Sequence, residues 1–172
     1  DGIPVFHGAK VALGTLAAAS LTEEVFKRKA SDFKVKKRLE TWPAWEEREA
    51  EVRGAFAHLP QALPQLIEIN KKKFRTQEEL LKRYQNLAEL WAGLKKRVEA
   101  QLLPYEELLR HFREAGCPTL PEEISLTRER FFRTFHRAQM LRDRFTVLDL
   151  AYELGILPDC VEAIQNSRRY FG

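Results

Sequence analysis

Apolar side chains recur at steps of three and four along much of the 172-residue chain, the spacing of one face of an α-helix. The clearest run follows Thr76, which with Glu79 has the spacing of a capping box. The apolar positions on one face of that run are Leu80, Tyr84, Leu87, Trp91, Leu94 and Val98. This seam predicts a long helix packed against other helices. A cofactor site lined by its aromatic side chains is the alternative interpretation.

A second apolar run extends from Gly8 to about Arg28 and covers more than one helical face, which predicts a helix packed on several sides. Its apolar members are Val11, Leu13, Leu16, Ala17, Ala19, Leu21 and Val25. Gly8 and Gly14 lower the helix propensity but let another backbone or a ligand approach closely. The stretch 11–20 looks like part of a signal peptide, but it lacks a basic leader and is too short to span a bilayer. We therefore expect it to be a buried helix.

Six further helices are predicted from residues that start or stop helices, such as Pro in a first turn and Gly after a last turn. They run from Trp42 to about His58, from the Leu59–Pro64 stretch to Lys73, from Pro104 to Gly116, from Thr127 to Leu141, from Thr146 through Leu154, and from Pro158 onward. Thr146 and Asp149 are placed to cap the fifth of these helices. The charged stretch from Lys29 to Thr41 is predicted to be a connection or a frayed helix end.

The sequence contains no alternating run typical of a β-strand and no glycine-rich phosphate loop after a strand. It predicts an all-α fold, with about seven to nine helices in a single helical domain over residues 1–172. The composition agrees, since 44% hydrophobic and 31% charged residues are typical of a globular protein. Cys117 and Cys160 lack the spacing of a metal site and predict free thiols of a reducing compartment, hence a cytoplasmic protein, with a disulfide as the alternative.

The net charge of +4 is unevenly distributed, because three segments are strongly basic. Residues 27–40 contain seven basic and two acidic side chains, residues 71–75 contain four basic ones, and residues 128–144 contain six arginines and two acidic residues. Basic clusters can bind nucleic-acid phosphates. The sequence shows neither a recognition helix with its turn nor a platform of alternating basic and aromatic residues. Solvated helix faces are therefore favoured over nucleic-acid binding.

One histidine stands out by its position. His7 follows an apolar pair, precedes Gly8 and lies at the entry of the most apolar helix. A neutral imidazole there can bind a metal, and Gly8 leaves room beside it. A histidine without any ligand is the alternative interpretation.

Two segments at opposite ends of the chain carry a family resemblance. Residues 3–16, IPVFHGAKVALGTL, resemble the His-Gly-x-x-Val-x-x-Gly-Thr segment of the superfamily of iron-containing alcohol dehydrogenase, glycerol dehydrogenase and dehydroquinate synthase. Residues 142–157, RDRFTVLDLAYELGIL, are similar to the Arg-x-Arg-Tyr-Thr-x-Leu-Asp-Leu pattern near the end of bacterial sn-glycerol-1-phosphate dehydrogenases. The resemblance implies the helical C-terminal domain of the dehydroquinate synthase-like fold, without its N-terminal nucleotide-binding domain.

The implied reaction is reversible hydride transfer between NAD(P) and dihydroxyacetone phosphate, giving sn-glycerol 1-phosphate, the precursor step of phospholipid biosynthesis. A divalent metal, Zn, Ni or Fe, polarises the carbonyl in that family. His7 matches the last metal-ligand histidine, whereas the other ligands and the nicotinamide site of the family lie before Asp1. Ala9 departs from the acidic residue that many members have, and Phe145 replaces the usual Tyr. No catalytic and no cofactor-binding residue is assigned within the chain.

The phosphate of such a substrate needs cations. Lys10, one helical turn after His7, and the two arginines Arg142 and Arg144 are candidates by charge and position, and surface ion pairs are the alternative for each. The implied partners are the nucleotide-binding domain, a small phosphorylated substrate and a second copy in a homo-oligomer, with no membrane.

A metal site needs three or more protein ligands, so we expect the chain by itself to bind neither metal nor NAD(P) tightly and to be inactive. If a nucleotide-binding domain is missing, the side of the first helix near His7 is expected to show an apolar, glycine-containing face that is open or covered by another copy. Two other functions stay open. One is glycerol dehydrogenase or another iron-type alcohol dehydrogenase, and the other is a non-enzymatic helical interaction module with basic segments.

Overall fold

The computed structural model describes residues 5–171, so Ile3 and Pro4 of the first motif lie outside the described part of the chain. Those residues form nine α-helices, three short 3₁₀ turns and no β-strand, which confirms the all-α prediction. The helices are α1 (His7–Phe26), α2 (Val35–Glu40), α3 (Trp45–Ala55), α4 (Leu63–Lys73), α5 (Gln77–Gln101), α6 (Tyr105–Glu114), α7 (Arg128–Arg137), α8 (Val147–Glu153) and α9 (Leu157–Asn166).

Helix α1 lies at the centre of the fold and packs against α6, α8 and α9. Its residues Leu16, Leu21 and Val25 are fully buried, which confirms the prediction of a helix packed on several sides. Val11 is half exposed, so residues 5–171 do not bury every apolar side chain of this helix. The predicted cap of α8 is also confirmed, since the Asp149 carboxylate accepts hydrogen bonds from the backbone N–H and the hydroxyl of Thr146, each at 2.8 Å.

Helix α5 begins as the sequence predicts. The backbone N–H of Glu79 donates to the Thr76 hydroxyl at 3.2 Å, and the Glu79 carboxylate accepts from the Thr76 N–H at 2.8 Å. Trp91 stacks on Phe26 at 4.9 Å between ring centroids and meets Phe33 edge-on at 4.8 Å. The aromatic residues of this seam therefore belong to the core.

A second, smaller hydrophobic cluster lies between α3 and α4, which pack against each other. Val52, Phe56 and Leu66 fill it together with Met140 from the 3₁₀ turn Ala138–Leu141 that follows α7. This turn ends the predicted Thr127–Leu141 helix early, because α7 itself stops at Arg137.

The prediction of a plain connection over Lys29–Thr41 is wrong, because this stretch contains the 3₁₀ turn Ala30–Asp32 and the helix α2. A tertiary contact explains α2: the Arg38 guanidinium lies 4.6 and 4.7 Å from the ring centroids of Trp42 and Tyr152. Arg38 also donates to the carbonyls of Tyr152 and Glu153. No local pattern in the sequence reveals such a partner.

Two leucines on α5 offer a matched test of this packing. Leu80 is fully buried and Leu90 is 64% exposed. Leu80→Ala is expected to lower the free energy of unfolding by about 2–5 kcal/mol, because it leaves a cavity in the core. Leu90→Ala is expected to change it by less than about 0.5 kcal/mol. Urea denaturation of both variants measures the difference, and equal losses would contradict the packing described.

Candidate functional site

An open groove of about 850 Å³ lies beside α1. It is bounded by α1, the segment Ile124–Leu126, α7 and the start of α8. Its apolar lining comes from Val5, Leu13, Ala17, Ala18, Leu21, Ile124, Leu126, Phe131, Phe135, Ala138, Val147 and Leu148. Apolar grooves with a few polar groups at the edge are the usual form of ligand sites.

Helical spacing explains which side chains reach the groove. On α1, Lys10, Gly14 and Ala18 follow one another at intervals of four and so share one face. A Cβ added to Gly14 would meet nothing within 4 Å, so no other part of residues 5–171 covers this point. The expectation of an open apolar face that contains a glycine is met at this groove.

Another part of the lining comes from α7 and the 3₁₀ turn that follows it, where Arg130, Thr134 and Ala138 are again four residues apart. Thr127 caps α7, because its hydroxyl oxygen accepts a hydrogen bond from the backbone N–H of Arg130. Before it, Ser125 has a φ of 56°, in the left-handed region, which turns the chain into the helix.

The polar groups of the groove are predominantly basic. Lys10 of α1 and Arg130 of α7 are exposed cations among the lining residues, and Ser125, Thr134 and Thr146 also line the groove. No acidic side chain lines the groove among the described residues. Two fixed cations beside an apolar floor favour a ligand that combines an anionic group with an apolar or aromatic part.

The four residues singled out from the sequence fall in three places. Lys10 lines the groove, and His7 is the exposed first residue of α1, one turn earlier. Arg142 and Arg144 are exposed in the loop that leads to Thr146 and are not among the lining residues. The structure therefore brings Lys10 to the groove, whereas the two arginines lie on the loop that precedes the lining residue Thr146.

Sequence reasoning missed Arg130, which was grouped with the arginines on the solvated side of α7. The signal that could have found it is the four-residue spacing of Arg130 and Thr134, which are adjacent to the buried Phe131 and Phe135. The spacing of Arg130 and Thr134 by itself does not reveal that this face of α7 lines a groove together with α1.

The metal expected at His7 would need more ligands than residues 5–171 bring together. Among residues 5–171 no three side chains of His, Cys, Asp or Glu converge in a way that could hold a metal ion. His7 by itself supplies one imidazole, so the residues present do not form a metal site on their own.

Behind the start of α8 lies a buried polar cluster. The Lys73 ammonium is 2.7 Å from the Asp149 carboxylate, and Arg83 Nη1 donates to both Glu153 carboxylate oxygens at 3.0 Å. Burial raises the pKa of the Glu153 carboxyl, and the positive charge of Arg83 opposes this shift.

Burial also raises the pKa of the Cys160 thiol to about 11, so this free cysteine is an inert core residue.

Searches with the whole chain found no matching family model, no similar characterised protein and no similar solved structure. No helix within residues 5–171 has the length and apolar character needed to cross a bilayer. The site has to be judged on its own geometry and on the two motifs.

The groove can be tested with an anionic apolar dye such as anilinonaphthalene sulfonate. Gly14→Trp is expected to weaken dye binding several-fold, because the indole fills the floor between the two cations. Gly93→Trp is the matched control, since Gly93 is another exposed helical glycine with no neighbour within 4 Å. Fluorescence titration measures both, and equal affinities would show that the dye does not bind in the groove.

The raised pKa of Glu153 predicts a pH dependence of stability. The native carboxyl holds its proton more tightly than the unfolded one, whose ordinary value is 4.5. The contribution of the Glu153 carboxyl to the free energy of unfolding is therefore complete below about pH 4.5, and it declines as the pH rises through the native pKa. The free energy of unfolding of the wild type, minus that of Glu153→Gln, is expected to fall as the pH rises from about 4.5 through the native pKa. The exposed Glu162→Gln should show no such trend, and a rising difference for Glu153→Gln would refute the shift.

Proposed function

We propose that this chain is the helical part of a metal- and nicotinamide-dependent dehydrogenase that interconverts dihydroxyacetone phosphate and sn-glycerol 1-phosphate. In this proposal it has the dehydroquinate synthase-like fold, and a nucleotide-binding domain packs over the open side of α1. The groove is then the part of the substrate site that this chain contributes.

One observation carries the proposal: the two motifs, which are more than a hundred residues apart in sequence, line the same groove. The first motif contributes Lys10, Leu13 and Gly14, and the second contributes Thr146 and Val147. Segments that meet at one concave surface can serve one ligand, whereas motifs on separate surfaces could not.

The charge of the groove fits the substrate of the proposed reaction. A phosphate dianion is bound best by cations and hydrogen-bond donors that are fixed on rigid elements. Lys10 on α1 and Arg130 on α7 are such cations, and both line the groove. Arg142 and Arg144 on the neighbouring loop add positive charge near the edge of the groove. We assign these residues to binding and orienting the phosphate.

His7 is proposed as one ligand of the metal, and the remaining ligands belong to the nucleotide-binding domain. Its position supports this role, because it is exposed at the first turn of α1, one turn before Lys10. An imidazole and a phosphate-binding cation one turn apart would place the two ends of a three-carbon substrate on the same helix.

The test compares two proteins, the 172-residue chain and the same chain preceded by the coding region upstream of it. NADH oxidation is followed with dihydroxyacetone phosphate and Zn²⁺, Ni²⁺ or Fe²⁺. The longer protein is expected to be active and the chain by itself inactive. In the longer protein, Lys10→Gln should raise KM for dihydroxyacetone phosphate by about tenfold or more, because a charged hydrogen bond is lost, with little effect on dihydroxyacetone. The exposed Lys96→Gln on α5 is the matched control.

Three outcomes would count against the proposal. Metal-dependent turnover by the chain alone would show that it is not half of a site. Equal rates on dihydroxyacetone and its phosphate would favour glycerol dehydrogenase. Steep salt-dependent DNA binding, without activity of the longer protein, would favour an interaction module.

A further inference from the structure

The loop that carries Arg142 and Arg144 is held at both ends by one buried side chain. Lys73, in the last turn of α4, donates from Nζ to the backbone carbonyl of Gln139 before the loop and to Asp149 Oδ1 after it, the latter at 2.7 Å. The other carboxylate oxygen of Asp149 binds the N–H and the hydroxyl of Thr146, where the loop ends. A single ammonium thus joins the two ends of the loop.

Burial makes this arrangement specific to Lys73. Its side chain is 12% exposed and that of Asp149 is 7% exposed, whereas the preceding Lys71 and Lys72 point to solvent. A buried ion pair is costly unless its hydrogen bonds are satisfied, and here the loop ends supply them. Asn70, one turn before on α4, donates to the Met140 carbonyl at 2.9 Å and fixes the same end of the loop.

Between these anchors the residues 141–145 are exposed and have no helical structure after Leu141. In the outer part of the loop, the Arg83 guanidinium lies 4.9 Å from the ring centroid of the half-exposed Phe145. Side chains on a loop of this kind take their position from its ends. Thr146, which follows these residues at the end of the loop, lines the groove. The position of the two anchored loop ends therefore sets where the arginines lie relative to the groove.

We propose that Lys73 is a positioning residue, which holds the loop 141–146 against the edge of the groove so that Arg142 and Arg144 meet the phosphate of the substrate. The part that concerns the substrate rests on the function proposed above. The part that concerns the loop rests only on the contacts of Lys73.

The first experiment is limited trypsin digestion of the full chain under native conditions, with cleavage after Arg142 and Arg144 followed by mass spectrometry. Lys73→Met is expected to accelerate cleavage at these two bonds about tenfold relative to cleavage after Lys96 in the same molecules. Lys73→Arg should restore most of the protection, because it keeps the charge and the donors. The exposed neighbour Lys72→Met is the control and should behave like the wild type.

A general loss of stability would accelerate all sites together, and this result, like an unchanged rate at the loop, would overturn the proposal. If Lys73→Met does not fold, Thr146→Val replaces it, because it removes only the hydroxyl bond to Asp149. This variant should accelerate cleavage after Arg144 more than cleavage after Lys96, and equal effects at both sites would again reject the anchoring role.

The second experiment uses the longer protein. Lys73→Met is expected to raise KM for dihydroxyacetone phosphate by about tenfold while kcat and the activity on dihydroxyacetone change little, and Lys73→Arg should reverse most of this change. A mobile loop with an unchanged KM would overturn the role in phosphate binding. If the wild-type protein is inactive on this substrate, the proposed function fails, and the trypsin experiment still decides whether Lys73 anchors the loop.

Discussion

The packing of α1 against the C-terminal helices is the constraint on which the rest of the molecule depends. Leu16 and Leu21 of α1 are buried, as are Ala151 of α8 and Ile164 of α9. Polar contacts close the same interface near the chain end, where Ser20 is hydrogen-bonded to Tyr170 at 2.7 Å. Hydrophobic burial is not directional and does not by itself fix how the helices are oriented. The Ser20–Tyr170 hydrogen bond therefore helps to fix the position of the C-terminal end of the chain relative to α1. Both motifs are brought to one surface as a consequence.

The groove follows from the same packing. Because α1 uses several faces for the core, only the face with Lys10, Gly14 and Ala18 is left beside α7. Small residues at two of these positions keep the groove wide. Its positive charge comes from Lys10 and Arg130, which both line it.

The basic segments of the sequence have different roles once the chain is folded. Arg38 is enclosed by Trp42 and Tyr152, and Lys73 is buried against Asp149. Lys10 and Arg130 instead remain exposed at the groove. Net charge therefore says little about function here, because a guanidinium or ammonium with buried partners is part of the scaffold.

Local physics made much of the fold predictable. Hydrophobic periodicity and caps such as Thr76 and Thr146 involve residues within one or two turns of each other, so the sequence by itself determined the helical class, the seam of α5 and the cap of α8. The helix α2, the place of Arg130 in the groove and the anchoring of a loop by Lys73 were decided only by tertiary structure. Each depends on a partner thirty or more residues away or on which helix lies opposite, and spacing along the chain contains no record of either.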